Sequence, residues 1–458
     1  MPQRAEVLVA DIGSTLTKLS AFGGLGGPVP CFLGQGTART TVAEGDVGLG
    51  LAAARQEVEA RHGVETSGAT LMAASSAAGG LRMTVHGLTR DMTLRAAREA
   101  SLGAGAIVIF TTAGRLSTDD VEEMRRLQPN LILLAGGVDD GDRQVVVANA
   151  QALAALGVAI PVIYAGNQAA RGAVQRILQT AHVPVFLVEN VYPRLDALNI
   201  APVRQAIQEV FARHIVSAPG MERVKRLVTG NVVPTPGAVL QATELLADVL
   251  GDVMTVDVGG ATTDVHSVTE GSPAYARLMV APEPRSKRTV EGDLGVYINA
   301  SHIVAAAGDM QLDLHSVMPI PANAVAHQTA VALTRWAVDL AVWRHAGEVR
   351  VAYGAYGRHE LVEGRDLTAI HYVIGTGGAL TRLGVGQEIL GHIKADPGHR
   401  KLLPPHDAQV LVDQHYIMAA VGVLSQHYPA AARALLFESL GDLRQDAHHA
   451  RTVHHHRA

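Results

Sequence analysis

Two aspartates, each closing an apolar run and each followed by glycine and hydroxyl residues, give the strongest chemical signal in the chain. Residues 7–18 read VLVADIGSTLTK, and residues 253–264 read VMTVDVGGATTD. Asp11 pairs with Asp257 in this comparison, 257 − 11 = 246 residues apart, or about half of the chain. A strand that turns back on glycine presents amide and hydroxyl groups to an anion without a blocking side chain. The carboxylate itself repels phosphate, but it holds Mg²⁺ through water.

The repeated pattern predicts a clamp that holds a polyphosphate between two hairpins. One Asp-x-Gly-Ser/Thr stretch is usually an ordinary turn, whereas two copies half a chain apart favour a shared function. The two segments resemble the phosphate-1 and phosphate-2 loops of the actin, hexokinase and heat-shock-chaperone ATPase superfamily. The segment YVIGTGGALTRLG at 372–384 resembles the adenosine loop of the same superfamily. Its closely spaced glycines let the chain pass near a flat nucleoside.

Charged residues in and beyond the loops supply the candidate chemistry. Asp11 and Asp257 are predicted to hold Mg²⁺ and to act in catalysis with Asp264. Asp264 closes the second loop and resembles the water- or metal-positioning carboxylate of the chaperone-type ATPases. Lys18 is placed to neutralise phosphate charge, or else it faces solvent. The predicted ATP contacts are Gly13, Ser14, Thr15, Thr17, Lys18, Gly259, Gly260, Thr262, Thr263, Glu291, Thr376, Gly377 and Gly378.

The segment KRTVEGDLG at 287–295 admits two interpretations. Glu291 and Asp293 order the nucleotide or Mg²⁺, or they belong to a charged turn in which Lys287 and Arg288 are their partners. A second open case is the loop AGGVDDGD at 135–142, which contacts a ligand or is a tight turn whose aspartates cap the next helix.

Composition limits the classes of protein that remain. At 458 residues the chain predicts two to four domains, and 48% apolar residues suit well-packed cores. The net charge is −5, without the basic, aromatic-rich stripe of a nucleic-acid partner. Cys31 is the single cysteine, which excludes intrachain disulfides and suits the reducing cytoplasm. The N-terminus shows no signal-peptide pattern.

The longest uncharged stretch is not predicted to be a membrane helix. It runs over residues 144–170, and Pro161 divides it into a helix-like half and a strand-like half. Polar residues within both halves favour a buried helix–strand pair. The sequence therefore predicts a cytoplasmic protein without a membrane partner.

Hydrophobic periodicity divides the chain into parts. From 90 to 217, apolar runs alternate with helical stretches, which is typical of a parallel sheet covered by helices. Helices at 236–250 and 408–427 carry small residues on one face, so they are predicted either to cross closely or to be ordinary core helices. The predicted parts are a first ATPase lobe (1–89), an inserted α/β domain (90–217), a return to that lobe with a connecting helix (218–250), a second lobe (251–405), a closing helix (406–430) and a polar, His-rich tail (431–458).

The chain as a whole resembles the GlmL (MutL) family, accessory proteins associated with the adenosylcobalamin-dependent glutamate mutase. The segments that carry the resemblance are VADIGSTLTK (9–18), ASSAAGGLRM (74–83), LLAGGVDDGD (133–142), VDVGGATTD (256–264), KRTVEGDLGV (287–296) and the glycine turn at 375–378. The resemblance implies an α/β, two-lobed actin-like ATPase fold with duplicated ribonuclease-H-like lobes and an inserted parallel-sheet domain.

The resemblance also implies a function and its requirements. The cofactors are ATP and Mg²⁺, and the partner is an adenosylcobalamin-dependent mutase that the protein maintains or reactivates as a slow, chaperone-like ATPase. Two alternatives stay open. One is a small-molecule kinase of the same superfamily, and the other is a nucleotide-binding scaffold without turnover.

Overall fold

A computed structural model describes residues 3–13, 15–41, 44–76, 81–214, 221–308, 312–354, 357–393 and 400–441. Ser14, the glycines at 79 and 80 and the His-rich end from 442 onward lie outside this set. The strands are β1 (Gln3–Arg4), β2 (Val7–Ile12), β3 (Leu16–Gly23), β4 (Cys31–Arg39), β5 (Val64–Glu65), β6 (Thr70–Ser75), β7 (Arg82–Gly87), β8 (Ile107–Ala113), β9 (Leu131–Leu134), β10 (Val162–Tyr164), β11 (Val185–Leu187), β12 (Val233–Pro234), β13 (Val253–Val258), β14 (Thr263–Val268), β15 (Ser286–Glu291), β16 (Glu348–Gly354), β17 (Gly357–Glu363), β18 (Tyr372–Thr376) and β19 (Gln409–Val412).

Helices connect and cover these strands. The α-helices are α1 (Val47–His62), α2 (Arg95–Gly103), α3 (Thr118–Leu127), α4 (Gln144–Ala154), α5 (Arg171–Thr180), α6 (Ala201–His214), α7 (Met221–Leu227), α8 (Thr235–Leu250), α9 (Pro273–Ala276), α10 (Ala300–Ala307), α11 (Ala324–His345), α12 (Gly377–Arg382), α13 (Gly386–Leu390), α14 (Met418–Leu424) and α15 (Pro429–Ser439). A π-helical turn at Arg90–Leu94 leads into α2, and 3₁₀ turns lie at Gln168–Ala170 and Leu314–Ser316.

Two five-stranded sheets share one topology. The first has the order β4-β3-β2-β6-β12, and the second has the order β15-β14-β13-β18-β19. In each sheet a central strand pairs antiparallel with the strand that follows it in the chain and parallel with a later one. The predicted hairpins at 7–18 and 253–264 are confirmed as β2–β3 and β13–β14, and they occupy matching places in the two sheets.

A third sheet, with the order β11-β10-β9-β7-β8, is parallel throughout and confirms the predicted parallel α/β block. β7 lies inside this sheet, so the parallel unit takes in residues 82–87, ahead of the boundary expected at 90. The short stretch of small residues after β6 resembles a turn between paired strands, but β6 belongs to the first sheet and β7 to the third. The uncharged stretch at 144–170 forms α4 and β10, as expected, and no helix among the described residues is long and apolar enough to cross a membrane.

Helices α8 and α14 cross with their backbones in contact, which is the first of the two alternatives that the small residues on their faces left open. A Cβ added at Gly422 would lie 1.9 Å from the carbonyl oxygen of Ala238, so only glycine fits this crossing. Both helices belong to the core that joins the first and second sheets, together with Val9, Val253 and other buried residues.

The expected closing helix over 406–430 is wrong in its first half. Residues 409–412 form β19, which adds to the second sheet beside β18, and the helix begins only at Met418. The run QVLV pairs as a half-buried parallel edge strand, and this pairing with β18 outweighs its helix-like spacing. The expected tail also begins too early, because the apolar run around Leu435 and Leu436 forms the buried helix α15.

Helix α2 of the parallel unit packs along β15, the edge strand of the second sheet. The contact therefore joins the block inserted after the first sheet directly to the second sheet. Arg95 of α2 forms an ion pair with Glu283, which lies just ahead of β15.

Candidate functional site

The two hairpins present the same geometry at their turns. Asp11 lies opposite Lys18 in the first, and Asp257 lies opposite Asp264 in the second. In the first turn the Gly13 amide donates to the Leu16 carbonyl, and in the second the Gly259 amide donates to the Thr262 carbonyl, both at 2.9 Å. Lys18 and Asp264 therefore hold equivalent positions, with opposite charge.

A lysine–carboxylate pair marks the first hairpin. The Lys18 ammonium lies 2.8 Å from an oxygen of Asp11, and the Thr235 hydroxyl donates to the other oxygen at 2.8 Å. The ammonium also sits 3.3 Å from the centre of the Tyr416 ring, which the second sheet supplies through the chain after β19. Burial lowers the pKa of Lys18, but Asp11 and Tyr416 more than offset this and raise it above its ordinary value. The lysine is thus a fixed positive charge.

Asp257 carries the most perturbed carboxyl of the site. Removal from water, reinforced by the Asp264 carboxylate, raises the pKa of Asp257 to about 7, although Lys18 opposes the shift. The glycine turn lies directly against this group: a Cβ at Gly377, whose φ is +86°, would lie 2.5 Å from an Asp257 carboxylate oxygen. Gly378 faces Tyr416 at ordinary van der Waals distance. The turn at 376–378 therefore lies against Asp257 of the second hairpin and against Tyr416, whose ring contacts Lys18 of the first.

Asp264 is held by an arginine. The Arg288 guanidinium donates from two nitrogens to one carboxylate oxygen, at 2.8 and 2.6 Å, and the Thr262 hydroxyl lies 3.3 Å from the other. Arg288 is only 1% exposed, and its third guanidinium nitrogen donates to the Leu102 carbonyl of α2 at 2.9 Å. The sequence pattern alone indicated Arg288 only as a partner for Glu291 and Asp293.

In the second loop the backbone carbonyls accept hydrogen bonds from the following segment, whereas two backbone amides remain available as donors. The amides of residues 296, 297 and 298 donate to the Gly259 and Gly260 carbonyls, and Asn299 donates to the Ala261 carbonyl at 2.8 Å. Among the described residues, no backbone carbonyl accepts from the Gly260 or Ala261 amides outside the regular elements. Such adjacent amides suit an anion.

Several predicted hydroxyl contacts instead bind the scaffold. Thr17 bonds Thr40, which donates to the Gly13 carbonyl. Thr263 donates to the Leu294 carbonyl at 2.7 Å, and Thr376 donates to buried Asp413 at 2.9 Å. The Thr15 carbonyl accepts from Thr40, so this part of the first loop is tied to β4. These hydroxyls hold the loops in shape, and Ser14 lies outside the described residues.

Glu291 forms its ion pair with an arginine of helix α11. Arg344 of α11 binds Glu291 at 2.7 Å and Asp293 at 2.8 Å, so the charged-turn interpretation has the wrong partners. Lys287 pairs instead with Glu283 and Glu99. Burial raises the pKa of Glu291 in spite of the Arg344 guanidinium.

The loop at 135–142 is a braced turn. The Asp142 carboxylate caps α4 through the Val145 amide at 3.0 Å, and Asn167 donates to two carbonyls of the loop. The Asn190 side-chain amide donates to the Gly137 carbonyl and to the Asp139 carboxylate, each at 3.0 Å. The aspartates of this loop therefore serve the turn and the helix cap.

The donor set suits a metal-bound polyphosphate. Among the described residues, no three His, Cys, Asp or Glu side chains come together as a self-sufficient metal site. Asp11 and Asp257 are two carboxylates that share their surroundings with Lys18, and the pKa of Asp257 is raised first by burial and then by the neighbouring carboxylates of Asp264 and Asp11. Mg²⁺ is usually held by one or two carboxylates together with water and phosphate oxygens, so these residues fit it.

The structure defines a mixed α/β protein in which two hairpin-centred sheets flank a shared charged site, with a parallel sheet that lies in the chain between β6 and β12 of the first sheet. The family model described as MutL protein matches residues 7–440. Protein MutL of Clostridium tetanomorphum is 34% identical over 455 residues, covering 93% of this chain and 97% of the relative. The chain belongs to the MutL family, the accessory family of glutamate mutase.

Solved structures resemble the chain only distantly. Nucleotide-free acetone carboxylase aligns over 92% of this chain and 70% of its own, with 13% identity and a TM-score of 0.38. The PilM–PilN type IV pilus biogenesis complex aligns over 95% and 99%, with 12% identity and a TM-score of 0.29. A carbohydrate kinase from Novosphingobium aromaticivorans aligns over 93% and 92%, with 12% identity and a TM-score of 0.28. At these scores the likenesses carry no conclusion about function.

Proposed function

We propose that the chain binds Mg²⁺–ATP between the two hairpins and uses it to maintain or reactivate an adenosylcobalamin-dependent mutase such as glutamate mutase. Two observations together carry this proposal. The hairpins have the same register, so that Asp11 lies opposite Lys18 and Asp257 lies opposite Asp264. The charges of Lys18, Asp11 and Asp264 also act on the pKa of Asp257, which means that the two turns lie near each other. The two matching sheets are then the duplicated, ribonuclease-H-like lobes of an actin-like ATPase. The parallel sheet is the inserted domain, which begins near residue 82.

Each residue of the site has a role in this proposal. Lys18 gives its positive charge to the phosphates, and the Gly260 and Ala261 amides donate hydrogen bonds to them. Asp11 and Asp257 hold Mg²⁺, which when bound neutralises charge on the phosphate oxygens. Gly377 and Gly378 leave room for the nucleoside.

Asp264 is the group proposed to act in hydrolysis. Its carboxylate orients a water that attacks the terminal phosphorus, the bond from that phosphorus to the bridging oxygen breaks, and ADP and phosphate leave. Arg288 keeps the carboxylate in place through its two donated bonds.

Calorimetry and product analysis test the proposal. Wild-type protein is titrated with ATP in the presence of Mg²⁺, beside Asp257→Ala and Arg335→Lys, a surface control whose partner is Glu388. Affinity is expected to fall at least tenfold in Asp257→Ala and to stay unchanged in the control. Equal affinity in wild type, Asp257→Ala and Asp11→Ala would refute the site.

A second experiment tests the purpose. Glutamate mutase is inactivated by turnover, then incubated with the protein, intact adenosylcobalamin and Mg²⁺–ATP. Recovery of activity with ATP, but not without nucleotide or with Asp264→Asn, supports a reactivating ATPase. A phosphorylated metabolite formed in step with ADP would instead establish the kinase, and binding without ADP release would establish the scaffold.

A further inference from the structure

A chain of buried contacts leads from the proposed phosphate site to the inserted domain. Arg288 binds Asp264 through two nitrogens and the Leu102 carbonyl of α2 through a third. The guanidinium is planar and rigid, so its three donors keep fixed positions relative to one another. A displacement of the Asp264 carboxylate therefore moves or breaks the bond to α2.

The neighbouring lysine makes a second connection to the same helix. Lys287 lies 2.8 Å from Glu283 and 3.7 Å from Glu99 of α2, and all three side chains are at most 10% exposed. The other oxygen of Glu99 is buried and finds no hydrogen-bond partner among the described residues. The buried charges between α2 and β15 are therefore only partly paired. A small displacement of either element changes the distances between them, and with those distances the strength of the ion pairs.

The chain path makes this contact informative about movement. α2 follows β7 through one π-helical turn, and β7 follows β6 of the first sheet after a short connection. The helix is therefore attached to the first sheet through the chain and to the second sheet through Lys287 and Arg288. Any change in the angle between the two sheets alters either the fold of the inserted domain or the contact between α2 and β15.

We infer that Arg288 is a positioning residue that couples the Asp264 carboxylate to helix α2, so that the inserted domain responds to the state of the phosphate site. The nucleotide-dependent part of this inference rests on the proposed function. The coupling itself needs no nucleotide for its definition, because it consists of the Asp264–Arg288–Leu102 contacts within the chain.

Amide hydrogen exchange measures the coupling without nucleotide. The Leu102 carbonyl accepts both Arg288 and the Gly105 amide, each at 2.9 Å, so exchange at Gly105 reports on this helix end. Asp264→Asn weakens the hold on Arg288 and is expected to speed exchange at residues 103–106 about tenfold. Arg288→Lys is expected to do the same, and the double variant to add little further.

Controls separate the coupling from general loosening of the fold. Arg335→Lys alters a surface ion pair and is expected to leave exchange at 103–106 unchanged. Exchange in β9, the middle of the parallel sheet, is expected to stay at the wild-type rate in all four variants. Unchanged exchange at 103–106 in Asp264→Asn, or fully additive effects in the double variant, would overturn the inference.

Nucleotide and kinetics supply the final readout. Mg²⁺–ATP is expected to change exchange at 103–106 in wild type but not in Arg288→Lys. The same variant is expected to lower kcat of ATP hydrolysis by 10-fold or more, with KM within about threefold, as for a group that acts through Asp264. If calorimetry shows no ATP binding by wild type, the proposed function fails, and the nucleotide-free exchange still decides the coupling. If ATP binds but leaves exchange at 103–106 unaffected, the inference alone fails.

Discussion

Protonation of Asp257 is expected to make nucleotide binding depend on pH. The pKa of Asp257 is raised to about 7, first by removal from water and then by Asp264. Only the ionised carboxylate holds Mg²⁺. With a pKa of about 7, the ionised fraction is about 0.1 at pH 6 and about 0.9 at pH 8. The apparent affinity for Mg²⁺–ATP is therefore expected to rise about tenfold between these two values.

The assay is titration calorimetry in buffers of different ionisation enthalpy, which counts protons released on binding. At pH 6 the protein is expected to release about 0.9 proton from Asp257, and at pH 8 about 0.1. Asp257→Asn cannot release this proton, so the difference between the two proteins subtracts protons that come from the nucleotide. Equal proton release by wild type and Asp257→Asn at pH 6 would refute the assignment of the raised pKa.

The same shift has a consequence for stability in the absence of nucleotide. The folded pKa lies above the ordinary value of 3.8, so the folded chain holds the proton more tightly than the unfolded chain. The contribution to the free energy of unfolding is full below about pH 4 and is lost as pH rises to about 7. At 1.36 kcal/mol per pKa unit the loss reaches roughly 4 kcal/mol as an upper bound. Urea unfolding at pH 8 is expected to show Asp257→Asn as more stable than wild type.

Three further predictions concern the loops and the helix crossing. Lys18→Met, which removes the charge facing Asp11, is expected to weaken ATP binding about 10-fold or more by calorimetry, whereas wild-type affinity would place the lysine outside the site. Gly377→Ala places a methyl group within 2.5 Å of Asp257 at φ +86° and is expected to lower thermal stability and ATP affinity together; an unchanged melting temperature would contradict the close approach. Gly422→Ala forces a methyl group against the Ala238 carbonyl and is expected to cost about 1–3 kcal/mol in urea unfolding, whereas a cost below 0.5 kcal/mol would mean that the helices separate freely.

The sequence located the two hairpins because their signal is local and repeated. An apolar strand, an aspartate, a glycine turn and a returning strand lie within twelve residues, and the structure pairs them as expected. The parallel sheet was predictable for the same reason, since each strand and helix carries its own periodicity. Its first strand, β7, was assigned elsewhere because sheet membership depends on partners distant in the chain.

The parts that failed depend on such distant partners. QVLV at 409–412 reads equally as helix or strand, and only the open edge beside β18 decides. Tyr416 contacts Lys18 although the two residues are nearly 400 positions apart in the chain, and no local pattern predicts an aromatic ring over a lysine. Arg288 lay within a highlighted motif, but its true partner Asp264 is 24 residues earlier, across a strand pair.

The position of α2 along β15 also matters for solubility. An open strand edge exposes unpaired amide and carbonyl groups that can recruit another chain. α2 lies where such recruitment would begin on the second sheet. A shortened chain that lacks the inserted domain would therefore uncover this edge together with the buried charges of Lys287 and Arg288. Removal of the parallel unit is therefore expected to lower the solubility of the remaining chain.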